Sequence, residues 1–175
     1  MAKIIVPAHR THTERTVRLF EFLQDRNCGF QFDVVDGKTV FPCEAAKKNF
    51  QYYVGGAEQI TEVLSLHQKG KYNTILLIGI LVYLNDEKAI SSLQQIVEAS
   101  DANTMLCIRE PIAIQDRLTL KDYYSSELND SYNAVYRTRN ELISLFEEAL
   151  LHRGFTIKAE NYLFEESTLN NRKET

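Results

Sequence analysis

The chain has 175 residues, of which 44% are hydrophobic and 25% charged, values typical of one globular domain with its own core. The net charge is −4 and the Lys and Arg residues are dispersed. A duplex-binding protein normally carries a basic patch or stripe, so we expect no nucleic-acid partner.

Cysteine usage and the apolar runs bear on the cellular compartment. Cys28, Cys43 and Cys107 lie far apart, which favours reduced thiols in the cytoplasm over a disulfide framework. The start, MAKIIVPAHR, reaches polar residues too soon for a signal peptide. The longest apolar run, 74–84, is about half of the ~20 residues that a membrane span needs. We therefore expect a cytoplasmic protein with no membrane partner.

Strand and helix patterns alternate from the first residues onward. Three short patterns rich in β-branched and aromatic residues predict strands over 3–6, 30–35 and 51–54. The segments after them have helical spacing, over 13–26, 42–49 and 57–68.

The alternation continues in the second half. A near-continuous apolar run predicts a strand buried on both faces, and Asn85-Asp86 predicts the start of a helix that ends near Ala99. The strands predicted here occupy 74–80, 104–108 and 155–164, and the last helix occupies 138–152. Such alternation predicts an α/β fold, a Rossmann-like three-layer sandwich with a mostly parallel sheet and helices on both faces. We expect a single domain over residues 1–175.

Residues 112–136 form the exception, because they are polar and rich in tyrosine and show no clear period. We interpret this segment as a loop. A loop of this length in a compact domain is usually functional, which suggests a lid or a substrate-binding segment.

Ligands of parallel sheets bind beyond the carboxyl ends of the strands, so the loops that follow the strands hold the candidate residues. Asp36 could accept both hydroxyls of a ribose, although Asp-Gly is also a common turn pair. The small residues before Glu58 could admit a flat base, or simply connect a strand to a helix. Gly79 indicates either a close ligand or tight helix–sheet packing. The histidines of the first loop suit a solvated loop better than a metal site, and we expect no metal.

The stretch KYNTILLIGILVYLNDEKAISSLQQI resembles the fourth strand and following helix of class I S-adenosylmethionine-dependent methyltransferases. MLCIREP resembles their fifth strand, and YRTRNELISLFEEALLHRGFTI the next helix with its "GF". FQFDVVDGK with AAKKNFQYYVGGAEQI is similar to the second and third strands. The resemblance covers roughly residues 30–165.

The resemblance implies S-adenosylmethionine as cofactor and methyl transfer to a small-molecule acceptor, such as a sugar or another metabolite. It implies that the ribose, adenine and methionine parts of the cofactor are held by Ala8, His9, Asp36, Gly37, Gly56, Ala57, Glu58, Ile78, Gly79 and Tyr83. The acceptor would face Arg109, Glu110, Tyr123, Tyr124 and Tyr136. Methyl transfer is a direct displacement, so such a site mainly aligns the two reactants. The resemblance assigns no residue as a catalytic acid or base.

Two departures from the family keep other functions open. The first loop, VPAHRTHTE, has none of the expected glycines, and the chain stops where the family continues into a last antiparallel strand. A non-catalytic scaffold or a fragment is therefore an alternative, and an unpaired sheet edge would favour a homodimer. The first forty residues also resemble the start of lipopolysaccharide-type glycosyltransferases, but the chain has no Asp-x-Asp. A dinucleotide oxidoreductase lacks support from the central motif.

Overall fold

The structure is a computed structural model that describes residues 2–8, 30–36, 50–54, 56–67, 70–126 and 129–162. The helices predicted over 13–26 and 42–49 lie outside the described residues, as do His9 and Gly37. The following observations refer to the described part of the chain.

Five parallel strands form one sheet in the order β3-β2-β1-β4-β5. The strands are β1 (Ala2–Ala8), β2 (Phe30–Asp36), β3 (Phe50–Val54), β4 (Tyr72–Ile78) and β5 (Ser100–Arg109). The chain moves outward from β1 to β3 and then returns to β4 on the other side of β1. The predicted α/β class with a parallel sheet is confirmed. The order reverses between β1 and β4, which is where parallel sheets hold their ligands.

The three described α-helices are α1 (Ile60–Leu66), α2 (Asp86–Ala99) and α3 (Arg139–Ala149). The side chain of Asn85 accepts a hydrogen bond of 2.9 Å from the Lys88 N–H and caps α2, as predicted. Thr138 and Glu141 form a capping box at the start of α3. None of the described helices is long and apolar enough to cross a bilayer.

The core of the described part joins the helices to β4. Ile75 and Leu77 of β4 are fully buried, and Leu93 and Ile96 from the apolar face of α2 belong to the same buried cluster. The buried face of α3 adds Leu145. Each such side chain stabilises the fold by about 1.5–3 kcal/mol. The carboxyl end of β4 is therefore supported by a well-packed core.

The loop predicted over 112–136 is wrong for most of its length, because it contains an antiparallel hairpin of β6 (Leu118–Ser125) and β7 (Asp130–Tyr136). The rings of Tyr123 and Tyr132 meet edge to face across the hairpin, with centroids 5.8 Å apart. The register shifts between Leu120 and Tyr123, where Asp122 has φ 49°. Such a bulge breaks the two-residue alternation by which a strand is recognised in a sequence.

The strand predicted over 155–164 is also wrong for its described part, since 155–162 lies in no strand. Gly154, with φ 94°, ends the helical segment as predicted. The segment then follows the surface, where Glu160 forms an ion pair with Arg139. The apolar alternation is present in the sequence, but a strand needs a neighbour for its backbone groups, and no described strand lies beside this segment.

Candidate ligand site at the carboxyl ends of the strands

The carboxyl ends of the five strands meet at one edge of the sheet. In the register of the sheet Ala8 of β1 lies beside Asp36 of β2, and Asp36 lies beside Val54 of β3. Gly56, Ala57 and Glu58 follow β3, where Ala57 begins a short 3-10 helix. The structure thus brings together, in backbone position, the described residues that were predicted to hold ribose and adenine.

Gly79 follows β4 directly and has φ 61°, a left-handed conformation that side chains disfavour. Its N–H donates a 2.7 Å hydrogen bond to the carbonyl of Arg109, the last residue of β5. This bond closes the carboxyl end of the β4–β5 pair. The glycine therefore turns the chain out of the strand, and this backbone requirement explains its presence.

Replacing Gly79 by alanine is expected to lower the free energy of unfolding by about 1–2 kcal/mol, because a Cβ strains the left-handed backbone. Gly70→Ala is the matched control. A Cβ on Gly70 would meet only the Lys3 Nζ at 3.5 Å, an ordinary contact. Urea unfolding of both variants measures the difference, and equal stabilities would contradict the strain at Gly79.

The segment 79–84, called here the β4 loop, contains a one-turn 3-10 helix (Leu81–Tyr83). Its start is held by Glu110, which follows β5. One carboxylate oxygen of Glu110 accepts hydrogen bonds from the N–H groups of Ile80 (2.8 Å) and Leu81 (3.0 Å), and the other accepts one from Val82 (3.3 Å). Burial raises the pKa of Glu110 to about 7, although the three N–H groups and the charge of Arg137 favour the ionised form.

The end of the β4 loop is held by Arg137, which follows β7 and is only 1% exposed. Its Nη1 donates to the Leu81 carbonyl and its Nη2 to the Leu84 carbonyl, each at 2.7 Å. Its Nε donates to Oδ1 of Asp86 at 2.8 Å. A buried guanidinium is tolerated when its donors are satisfied in this way. The sequence analysis gave Arg137 no role. Its position in a polar stretch between a tyrosine-bearing strand and a helix offered no signal of burial.

Asp86 links this arrangement to the hairpin. Arg117, just before β6, binds both carboxylate oxygens of Asp86, at 2.8 and 3.2 Å. The hydrogen bond from Arg117 has the largest effect on the pKa of Asp86 and lowers it; burial opposes this, but the hydrogen bond from Arg137 and the charges of both arginines keep the pKa below its usual value. Both ends of the hairpin are thereby fastened to the start of α2.

The residues predicted to face an acceptor are spread over this end of the molecule. Arg109 ends β5 and is exposed. Tyr136 ends β7, which lies against the 3-10 helix of the β4 loop that contains Tyr83. Tyr123 and Tyr124 are exposed nearer the hairpin tip; they lie opposite Tyr132 and Ser131, roughly 14 and 17 Å along β7 from Tyr136 at about 3.4 Å per residue. The contacts of Glu110 give it a structural role that the sequence analysis did not predict.

No protein-family model matches the chain, and no curated protein matches it. Solved structures do. A SAM-dependent methyltransferase from Leishmania major aligns over 85% of this chain and 55% of its own at 13% identity, with a TM-score of 0.58. CalO1, a methyltransferase in calicheamicin biosynthesis in its SAH-bound form, aligns over 83% and 42% at 14% identity, with a TM-score of 0.52. A structure described as a pericyclic reaction enzyme aligns over 85% and 37% at 16% identity, with a TM-score of 0.58.

These likenesses confirm the predicted resemblance at the level of the fold, which is that of class I S-adenosylmethionine-dependent methyltransferases. The chain spans between 37% and 55% of the length of these three structures. A fold can host more than one reaction, as the third neighbour illustrates. The activity therefore depends on the residues of the site.

Proposed function

We propose that this chain binds S-adenosylmethionine at the carboxyl end of its sheet and transfers the methyl group to a small-molecule acceptor. The observation that carries the proposal is the reversal of strand order between β1 and β4, in a fold shared with a methyltransferase solved in its SAH-bound form. The cytoplasm is the proposed compartment, since three dispersed cysteines suit a reducing environment.

The residues at this edge fit such a cofactor. Asp36 ends β2 beside Ala8 of β1, the strand position at which a carboxylate would bind the two ribose hydroxyls. The small residues Gly56 and Ala57 follow β3, where the adenine would lie. The bend at Gly79 turns the chain beside the methionine part. Parallel strands joined by crossovers are right-handed as a rule, and on this ground we also propose the three-layer sandwich.

When bound, the cofactor supplies an electrophilic methyl group on its sulfonium. The contribution of the protein is to bind and orient. The β4 loop, with Tyr83, would flank the methyl group, and Arg109 and Tyr136 would face the acceptor. Because the displacement is direct, alignment of the nucleophile with the methyl group is the main catalytic effect, and no general base is assigned.

Calorimetric titration with S-adenosylmethionine and S-adenosylhomocysteine tests the proposal. We expect micromolar binding to the unmodified protein. Asp36→Ala should weaken it at least about tenfold, since a hydrogen bond to a charged group contributes about 1.5–3 kcal/mol.

Asp101→Ala is the matched control, because Asp101 lies at the opposite end of the sheet, near the start of β5. It should bind both ligands as the unmodified protein does. Absence of binding at millimolar ligand would overturn the proposal and favour a non-catalytic scaffold.

A further inference from the structure

The β4 loop does not hold itself in place. A one-turn 3-10 helix leaves N–H groups unpaired at its start and carbonyls unpaired at its end. Here Glu110 accepts from the N–H groups of Ile80, Leu81 and Val82. Arg137 donates to the Leu84 carbonyl at the end of the loop, and also to the Leu81 carbonyl, which accepts the Leu84 N–H within the helix as well. The two side chains come from positions that follow different strands, β5 and β7. We call Glu110 and Arg137 together the clamp, because they hold the β4 loop from two sides. The β4 loop follows the strand next to which the strand order reverses.

We propose that Glu110 and Arg137 are positioning residues for the cofactor site, and that the ionised carboxylate of Glu110 holds the β4 loop in its binding conformation. The affinity for the cofactor then rises as Glu110 loses its proton. This inference rests on the proposed function, because it concerns the same site.

The hydrogen-bond chemistry gives the direction of the effect. An ionised carboxylate accepts at both oxygens and can take all three loop N–H groups. A protonated carboxyl carries a donor on one oxygen. Since both oxygens accept from the loop and a hydroxyl oxygen is a weaker acceptor than a carboxylate oxygen, protonation weakens at least one of these bonds. The loop therefore loosens at the point where it leaves β4.

The surroundings of Glu110 place this change near neutral pH. Burial raises its pKa to about 7. Arg137 is the charged group of the described residues that acts on Glu110, and Asp86, bound to Arg137, has a lowered pKa and stays ionised above pH 6. Tyr83 lies on the β4 loop itself.

Titration with S-adenosylhomocysteine at pH 6 and pH 8 tests the inference. The unmodified protein should bind roughly three- to tenfold more tightly at pH 8, the equivalent of one hydrogen bond. Glu110→Gln should bind more weakly than the unmodified protein at pH 8 and show no such pH dependence, because its amide neither ionises nor accepts at both ends. Glu147→Gln removes an exposed carboxylate of α3 and should behave as the unmodified protein.

The outcomes separate the two proposals. Binding that is equal at both pH values, or unchanged in Glu110→Gln, would overturn the inference and leave the proposed function standing. Absence of binding by the unmodified protein at both pH values would overturn both.

A measurement on the ligand-free protein keeps the test decisive if Glu110→Gln does not fold. The amides of Ile80, Leu81 and Val82 in the unmodified protein should be less protected from hydrogen exchange at pH 6 than at pH 8, after correction for intrinsic rates. The amides of α2 should not change. Equal protection at both pH values would refute the clamp.

Discussion

Replacing Arg137 by alanine is expected to lower the free energy of unfolding by about 3–5 kcal/mol, the usual loss when one partner of a buried charged network is removed. The guanidinium donates to two loop carbonyls and to Asp86. Its removal leaves the Leu84 carbonyl without this donor and the Leu81 carbonyl with the Leu84 N–H alone, and it takes a positive charge away from the half-buried Glu110. Urea unfolding followed by circular dichroism measures the loss.

Two further variants separate the hydrogen bonds of Arg137 from its volume and from arginine loss in general. Arg137→Met keeps much of the volume but none of the donors, and we expect it to be nearly as unstable as the alanine variant. Arg139→Ala removes an exposed arginine that pairs with Glu160 on the surface, and should leave the unfolding midpoint unchanged. A loss below about 1 kcal/mol in Arg137→Ala would contradict the clamp, since ordinary surface substitutions stay within such a range.

The stability of the protein is expected to fall as the pH rises from about 4.5 to about 7, because of Glu110. Burial raises its folded-state pKa from 4.5 to about 7, so the folded protein holds a proton that the unfolded chain releases in this range. The stabilisation is complete below pH 4.5 and is lost as the pH passes the folded pKa. The range is about 2.5 pH units wide and each unit carries about 1.4 kcal/mol, so the full loss is about 3–4 kcal/mol.

Glu110→Gln provides the control, because its side chain does not titrate. The difference in unfolding free energy between the unmodified protein and this variant isolates the contribution of Glu110 from those of all other carboxylates. It should change by about 3 kcal/mol between pH 4.5 and pH 7.5. A difference that stays constant across this range would show that Glu110 keeps an ordinary pKa. The same proton would stabilise the fold and weaken cofactor binding.

Local patterns in the sequence predicted much of the fold. Asn85-Asp86 and the apolar positions after it predicted α2, because a cap and a helical stripe depend on residues a few positions apart. The alternation of strands and helices predicted the parallel sheet for the same reason. The hairpin was not predicted, because the bulge near Asp122 changes which residues face inward midway along β6.

The candidate site was predictable where it depends on strand ends and unpredictable where it depends on distant side chains. Asp36 and Gly79 were recognised because each directly follows or ends a strand. The bonds of Glu110 to the β4 loop span 28 to 30 residues, and those of Arg137 span 51 to 56. No local sequence pattern predicts such hydrogen bonds, because they form only when the sheet and the hairpin come together.

The clamp on the β4 loop also sets an order of events during synthesis. All five strands of the sheet have left the ribosome once residue 109 emerges, yet the side chain that holds the end of the loop lies at position 137. A nascent chain can therefore assemble its sheet before this loop acquires its final shape. The protein would become able to bind a ligand at this edge only late in translation, after the hairpin has formed and Arg137 has reached the β4 loop.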